Sequence, residues 1–447
     1  VSIRRFASAA EGAQFILRRR DLGQTQLSPS TQASVRRIFG EDLSAEQVVD
    51  RILDDVQAHG DAALRRYTAA IDQVELTEIE VPQAEIAEAT SSVPVEVVDA
   101  LRFSADRIRR FHERQPLSQW IDVQPEGMLG QLVRPLERVG IYAPGGRAPY
   151  PSSLLMTAIP AAVAGVEEII VCAPPEPGGR IAPVTLAAAR VAGVHRVFKL
   201  GGAQAVGAMA YGTESVPKVD KILGPGNIFV VLAKRQVYGN VDIDLLPGPT
   251  ETLVIADESA APSLCAADLL AQAEHDPMAS AILVTTSAAV ADEITAELER
   301  QGPGLERWEI AAEALETNGA IILVRNLDEA FELANDYAPE HLCLLIEQPW
   351  DHLDKVKHAG GVFLGEQSPE VLGDYTAGPS HVMPTGRTAR FASPVNLLDF
   401  VKVISIIGLN EQGLREIGPA AARIARAEGL TAHAAAVERR LERIQPD

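Results

Sequence analysis

From Val133 onward, short apolar runs alternate with glycine-rich turns and alanine-rich segments, and this rhythm dominates the chain. The runs VGIYAPGG, EEIIVCAPP, VHRVFKLGG and VDKILGPGN are apolar almost throughout, not at every second residue. Such runs predict parallel strands buried on both faces and joined by crossover helices. A second series starts at Thr250 with ETLVIADE and continues through AILVTTS, AIILVRN, HLCLLIE and GVFLGE. Helical segments such as AAVADEITAELERQG separate several of these runs. Two successive α/β units hint at an old duplication, although no repeat survives at the level of residues.

The first third follows a different period. SAEQVVDRILDDVQAHGDAALRRYTAAID and VPVEVVDALRFSADRIRRFHERQ carry apolar residues at helical spacing, separated by β-like stretches such as VELTEIEVP. The opening VSIRRFASAAEGAQFILRRR reads as an amphipathic helix. From about Pro394 the pattern returns to short elements and one helix, EQGLREIGPAAARIARAEG, that stops at Gly429. This tail is small for a domain and is expected to pack on the rest of the chain or on another subunit.

Composition narrows the function classes. At 447 residues the chain exceeds one ordinary core and calls for two or more domains. Forty Lys and Arg against 61 Asp and Glu leave a net charge of −21, which repels nucleic acid and anionic membranes. A phosphate-bearing ligand would then need local main-chain donors. The three cysteines, Cys172, Cys265 and Cys343, form no CxxC pair; they exclude a disulfide framework and a thiolate zinc cage and point to a reducing cytoplasm. No apolar run reaches the roughly 18 to 20 residues of a membrane span.

Glycines follow the strands of the first series at Gly145-Gly146, Gly201-Gly202 and Gly224-Pro225-Gly226-Asn227. Glycine admits phosphate close to the backbone, and helix N-termini favour anions, so a dinucleotide suits these turns. There is no strict GxGxxG. Tyr142 could stack on a nucleotide ring or simply pack; Gln204 and Asn227 could bond ribose and phosphate or cap their helices. Elsewhere, LAQAEHDP ends a helix before Pro277, with Gln272 and His275 three apart and facing the same way. It is either a solvated helix end or half of a metal site. Glu340-His341, Asp374 with His381, and Glu428 with His433 are the other polar clusters, and none has HExxH or CxxC spacing. Glu340 and His341 open an apolar strand and could be two bases acting on one substrate, or polar tips of a junction. Cys343 is the rival nucleophile, or a core residue.

In chain order, GDAAL, GIYAPGGRAPYPSSLLMTAIPA, KLGGAQAVGAMAYGT, KILGPGN, GPTETLVIAD, AQAEHDP, NDYAPEHL, GGVFLGE, LGDYTAGPSHVMPTGRTARF and EGLTAH resemble the histidinol dehydrogenase family over residues 45–440. The resemblance implies two incomplete Rossmann-like domains with small N- and C-terminal extensions, in an intertwined homodimer. It implies segments at 1–34 (N-terminal extension), 35–141 and 249–393 (one α/β domain), 142–248 (NAD-binding domain) and 394–447 (dimerisation). The implied activity is oxidation of L-histidinol through histidinaldehyde to L-histidine with two NAD. Gln272, His275, Asp374 and His433 would hold zinc, and Tyr142, Gln204 and Asn227 would contact NAD. Glu340 and His341 would accept protons. Thr250, Gln272, His275, His341, Asp374, Glu428 and His433 would touch substrate, with Glu428 and His433 reaching the partner's site. Thr250 stands where the family usually has Ser, Ser380 where many members have Asn, and Ala162 where Lys or Arg is frequent.

Overall fold

The structure, a computed structural model, describes residues 3–18, 27–145 and 149–444. In chain order its strands are β1 (Arg4–Phe6), β2 (Trp120–Gln124), β3 (Gly127–Pro135), β4 (Arg138–Tyr142), β5 (Glu168–Ala173), β6 (Arg196–Lys199) and β7 (Lys221–Leu223). There follow β8 (Asp242–Ile243), β9 (Glu251–Ala256), β10 (Ser280–Thr285), β11 (Ala320–Leu323), β12 (His341–Leu345), β13 (Gly361–Leu364) and β14 (Val401–Leu409).

Two parallel sheets carry the α/β rhythm. One has the order β6-β5-β4-β7-β8 and the other β1-β11-β10-β9-β12-β13. Counted within each sheet, and with β1 set aside, both run 3-2-1-4-5, the order of a Rossmann-like unit that lacks its last strand. The hinted duplication is therefore present in topology. Every run read as a parallel strand in the two series forms one.

Burial on both faces explains the unbroken apolar runs. In the second sheet Val254, Leu283, Ile321 and Cys343 face the helices Pro262–Ala273, Ala288–Gln301 and Trp308–Asn318. Their neighbours Leu253, Ile255, Ile282, Leu342 and Leu344 face the other way, toward the Leu327–Tyr337 helix. In the first sheet the long Ala45–Ile71 helix packs over the helices Gly202–Tyr211 and Ile228–Val237, joining Val49, Ile52 and Val56 to Val206, Val230 and Phe198.

Several sequence expectations are corrected. The N-terminus is not one helix: β1 pairs in parallel with β11 before the Ala9–Ile16 helix begins, and three residues are too few to show a period. VELTEIEVP forms no strand; it meets β6 in a single bridge, Glu80 to Phe198, with Val81 N–H donating to Val197 O. The tail holds a nine-residue strand, β14, and a second helix, Thr431–Ile444.

The chain divides into two compact units, one of residues 1–114 and 137–400 and one of residues 115–136 and 401–447. The second unit is an antiparallel sheet, β14-β3-β2, with the helices Glu411–Ala427 and Thr431–Ile444. This partition differs from the expected segments. The Ala45–Ile71 helix shares the core of the first sheet, not of the second, and β2 and β3 go with the C-terminal strand because β14 pairs with β3 along its length.

Leu253 lies fully buried in the centre of the second sheet. Leu253→Ala is expected to lower unfolding free energy by about 2–5 kcal/mol, read from denaturant titration.

Candidate active site

At the carboxyl ends of β4 and β7, the first sheet has its topological switch point, where open α/β sheets bind ligands. Tyr142 ends β4, is buried, and its hydroxyl accepts a hydrogen bond from Gly202 N–H at 3.1 Å. Burial raises its pKa to about 12, so it stays a neutral phenol. Gly224 follows β7 with φ of +110°, and a Cβ there would stand 2.2 Å from the Tyr142 carbonyl oxygen. Only glycine can pass that close.

A buried ion pair fastens the same turn. Lys234 pairs with Asp244 and donates to Gly224 O at 3.0 Å, while Asp244 accepts from Gly224 N–H at 2.7 Å. Asn227 is exposed and caps the next helix, accepting from Phe229 N–H (3.0 Å) and Val230 N–H (3.3 Å). Gln204 is fully buried, and among the described residues neither amide atom has a hydrogen-bond partner. A buried amide without partners is costly, and a ligand bonding to it would remove that cost. The residues present thus fit a nucleotide. Gly146 lies outside the described residues.

The second cluster lies at the amino ends of β9 and β12, the opposite edge from that rule. Glu340 precedes β12 and is buried; its Oε2 accepts from the Thr250 hydroxyl at 2.6 Å and from Glu251 N–H at 3.0 Å. His341 is buried beside it. Its Nδ1 donates to Glu251 O at 3.2 Å, because a carbonyl can only accept. Among the described residues Nε2 is buried without a hydrogen-bond partner, 3.8 Å from Asp374 Oδ1.

Asp374 lies near the end of the short Glu370–Tyr375 helix, which carries it back to this edge. Burial opposes its ionisation, but His341, His381 and His275 together hold its pKa below the usual value. His381 donates from Nδ1 to the Asp374 carbonyl at 2.7 Å and meets Ser153 Oγ through Nε2 at 3.0 Å. Burial lowers its pKa and favours the neutral ring.

The expected helix end is present in LAQAEHDP, where the helix Pro262–Ala273 stops and His275 N–H bonds to Gln272 O. Gln272 is buried among Thr250, Glu251, Thr252 and Glu370, whereas His275 is exposed and close enough to Asp374 to influence its charge. Asp276 Oδ1 accepts from Met278 N–H and closes a turn. Thr250, Gln272, His275, Glu340, His341 and Asp374 therefore belong to one neighbourhood. Glu428 and His433 stand exposed in the second unit, one at the end of the Glu411–Ala427 helix and the other in the Thr431–Ile444 helix.

Glu370 escaped the sequence reading. It is buried, accepts from the Thr252 hydroxyl, and burial raises its pKa to about 7. Its position four residues before Asp374, in a helix opened by Pro369, was the available signal. Cys343 lies 3.9 Å from Glu370 Oε2, and burial pushes its thiol well above the ordinary value, so it is a packed, protonated core group. Ser380, the departure from Asn, is also buried and donates to Met156 O at 3.0 Å.

Among the described residues, no group of three or more His, Cys, Asp and Glu side chains is placed to hold a metal. Of the expected donors, the first unit supplies one amide, one imidazole and one carboxylate, and His433 belongs to the second. The charge arrangement nevertheless suits a cation. Burial disfavours the His341 imidazolium, but Glu340, Asp374 and Glu370 outweigh burial and raise its pKa to about 10. This ring thus carries positive charge against the carboxylates around it. A cation on Asp374 would assume that role and leave Nε2 as an acceptor.

A family model described as histidinol dehydrogenase matches residues 36–441. A histidinol dehydrogenase of Deinococcus radiodurans is 54% identical over 95% of this chain and 97% of its own length. One from Dehalococcoides mccartyi is 50% identical over 98% of this chain and 99% of its own. The crystal structure of histidinol dehydrogenase from Elizabethkingia anophelis superposes with a TM-score of 0.90 at 36% identity, covering 99% of this chain and 98% of that one.

The charge balance gives a direct expectation. In metal-free protein, NMR should find the His341 ring protonated through about pH 9, and zinc should lower its pKa by about one unit or more. A ring that titrates near 6.5 without metal would refute this account of the carboxylate cluster.

Proposed function

This chain belongs to the histidinol dehydrogenase family, oxidoreductases of histidine biosynthesis, and on that premise we propose a mechanism for its site. The substrate L-histidinol is oxidised through L-histidinaldehyde to L-histidine, with two NAD taking one hydride each. The observation that carries this reading is the pairing of Glu340 and His341, with His341 Nδ1 fixed by a carbonyl and Nε2 buried without a hydrogen-bond partner among the described residues.

Gln272, His275 and Asp374, completed by His433 of a partner subunit, would hold a zinc ion. When bound, zinc supplies a Lewis-acidic anchor for the imidazole and amine of the substrate. Thr250, Glu428 and His341 orient the carbinol end. His341 accepts the hydroxyl proton at Nε2 while the carbinol hydride departs to NAD. Glu340 then takes a proton from the water that adds to the aldehyde carbon, while protonated His341 returns its proton to the aldehyde oxygen, giving the hydrate. Loss of the second hydride to NAD and of two protons, one from each hydroxyl of the hydrate, yields the carboxylate. No thiol participates, in keeping with the packed Cys343. Tyr142, Gln204 and Asn227 hold the dinucleotide at the switch point of the first sheet.

The enzyme works as a homodimer in the cytoplasm. Support for the dimer comes from the second unit, where Val123 is 71% exposed, Ile407 73% and Ile424 61%, more apolar surface than a stable monomer usually leaves to water. No helix among the described residues is long and apolar enough to cross a membrane.

Purified protein with L-histidinol should form two NADH per substrate; turnover only with another polar alcohol would displace this substrate. Glu340→Gln should slow oxidation of histidinaldehyde by about 10²- to 10⁴-fold while leaving the first hydride transfer much less affected. Rapid-mixing assays of each half-reaction separate the two, and an equal loss in both would remove Glu340 from the hydration step. Mixing His433→Ala subunits with Glu340→Gln subunits should regenerate activity, since one site of each mixed dimer is then intact. Persistent inactivity after proven subunit exchange would contradict shared sites.

A further inference from the structure

The Gln272 amide is ringed by four polar groups, and one orientation matches three of them, Glu251, Thr252 and Glu370; the Thr250 hydroxyl hydrogen goes to Glu340 in either case. With Nε2 turned toward Glu370 and Thr252, it donates to Glu370 Oε1 and Thr252 Oγ1, both at 3.2 Å. Oε1 then faces Glu251 N–H at 2.7 Å and the Thr250 hydroxyl at 2.8 Å. The reverse orientation sets the amide nitrogen against the Glu251 N–H and the amide oxygen against the Glu370 carboxylate, donor on donor and acceptor on acceptor. Glu370 is itself fixed: it is 2% exposed, and its Oε2 is taken by the Thr252 hydroxyl.

A neutral amide is a weak metal donor, and either of its ends could turn toward a cation. Metal-bound histidines meet the same difficulty by donating their far N–H to a carboxylate, which sets the ring and raises its basicity. Here the pairing is carboxylate with amide.

We propose that Glu370 is the positioning residue for the metal site: by accepting from Gln272 Nε2 it keeps Oε1 on the Thr250 and Glu340 side and increases the negative charge on that oxygen. The proposal rests on the reading of Gln272 as a zinc ligand. Glu370 touches neither substrate nor cofactor in this account. It acts through Gln272, which explains why a carboxylate outside the expected donor set is buried next to it.

The test is a double-mutant cycle read as zinc affinity, using full-length protein stripped of metal and retitrated against a competing chelator. Glu370→Gln should weaken zinc binding by about 10- to 100-fold. The thermal midpoint of the metal-free protein should not fall, because a buried carboxylate has been removed. In a Gln272→Glu background, where two carboxylates face each other, the same Glu370→Gln change should instead strengthen zinc binding, since the amide it introduces can then donate to the new acid. That reversal of sign is the expected signature; a merely structural Glu370 would weaken both backgrounds alike, and that result overturns the proposal. If Glu370→Gln does not fold, Glu370→Asp, too short to reach the amide, should show the same loss of affinity. Unchanged affinity in the Glu370 variants, with affinity lost in Gln272→Ala, rejects the positioning role and keeps Gln272 as a ligand. Unchanged affinity in Gln272→Ala rejects the ligand reading, and the proposal falls with it.

Discussion

A parallel sheet covered by helices on both faces leaves almost no place for a polar side chain along its strands. That constraint organises the first unit. Leu253, Val254 and Ile255 are successive residues in β9, and all three are fully buried because one face packs on one helix layer and the next residue on the other. Chemistry is consequently confined to strand ends and to the turns and helix ends that meet there. Both proposed sites obey this, but at opposite edges of their sheets: the glycine turns gather at the carboxyl ends of β4 and β7, and Glu340, His341 and Thr250 gather at the amino ends of β9 and β12.

The same exclusion of water determines the electrostatics. Glu340, His341 and Glu370 are buried together, with Asp374 nearly so, and ions in such a space must compensate one another. His341 supplies much of the positive charge here, and so its pKa rises despite burial. On the first sheet the compensation is complete in itself: Lys234 and Asp244 neutralise each other and spend their remaining hydrogen bonds on the backbone of Gly224. One buried network is closed and holds a turn in place; in the other an imidazole nitrogen has no hydrogen-bond partner among the described residues.

Much of this was legible from residue patterns. Unbroken apolar runs identified the parallel strands, and Pro277 marked where the helix of LAQAEHDP ends. What eluded reading had specific causes. β1 is too short to show a period, and it exists because the edge of β11 accepts it. The β2–β3 hairpin and β14 lie far apart in the chain and make sense as strands only when paired. VELTEIEVP has strand-like residues but only one bridging position against β6. Glu370 looked like an ordinary helix-start acid until the fold enclosed it.

Residue order alone was enough for the class of fold, the succession of strands along the chain and the chemical types of the site residues, because burial and backbone conformation act locally. It also carried, through resemblance, the expectation of zinc and NAD. Folding in three dimensions was needed to settle which strand lies beside which, that the second cluster sits at the amino edge of its sheet, and that Gln272 is enclosed while His275 is exposed. The orientation of the Gln272 amide and the charge of His341 belong to the same group. Hydrogen-bond direction and pKa are set by neighbours in space, and Glu251, Glu370 and Asp374 become neighbours of these groups only after the chain has folded.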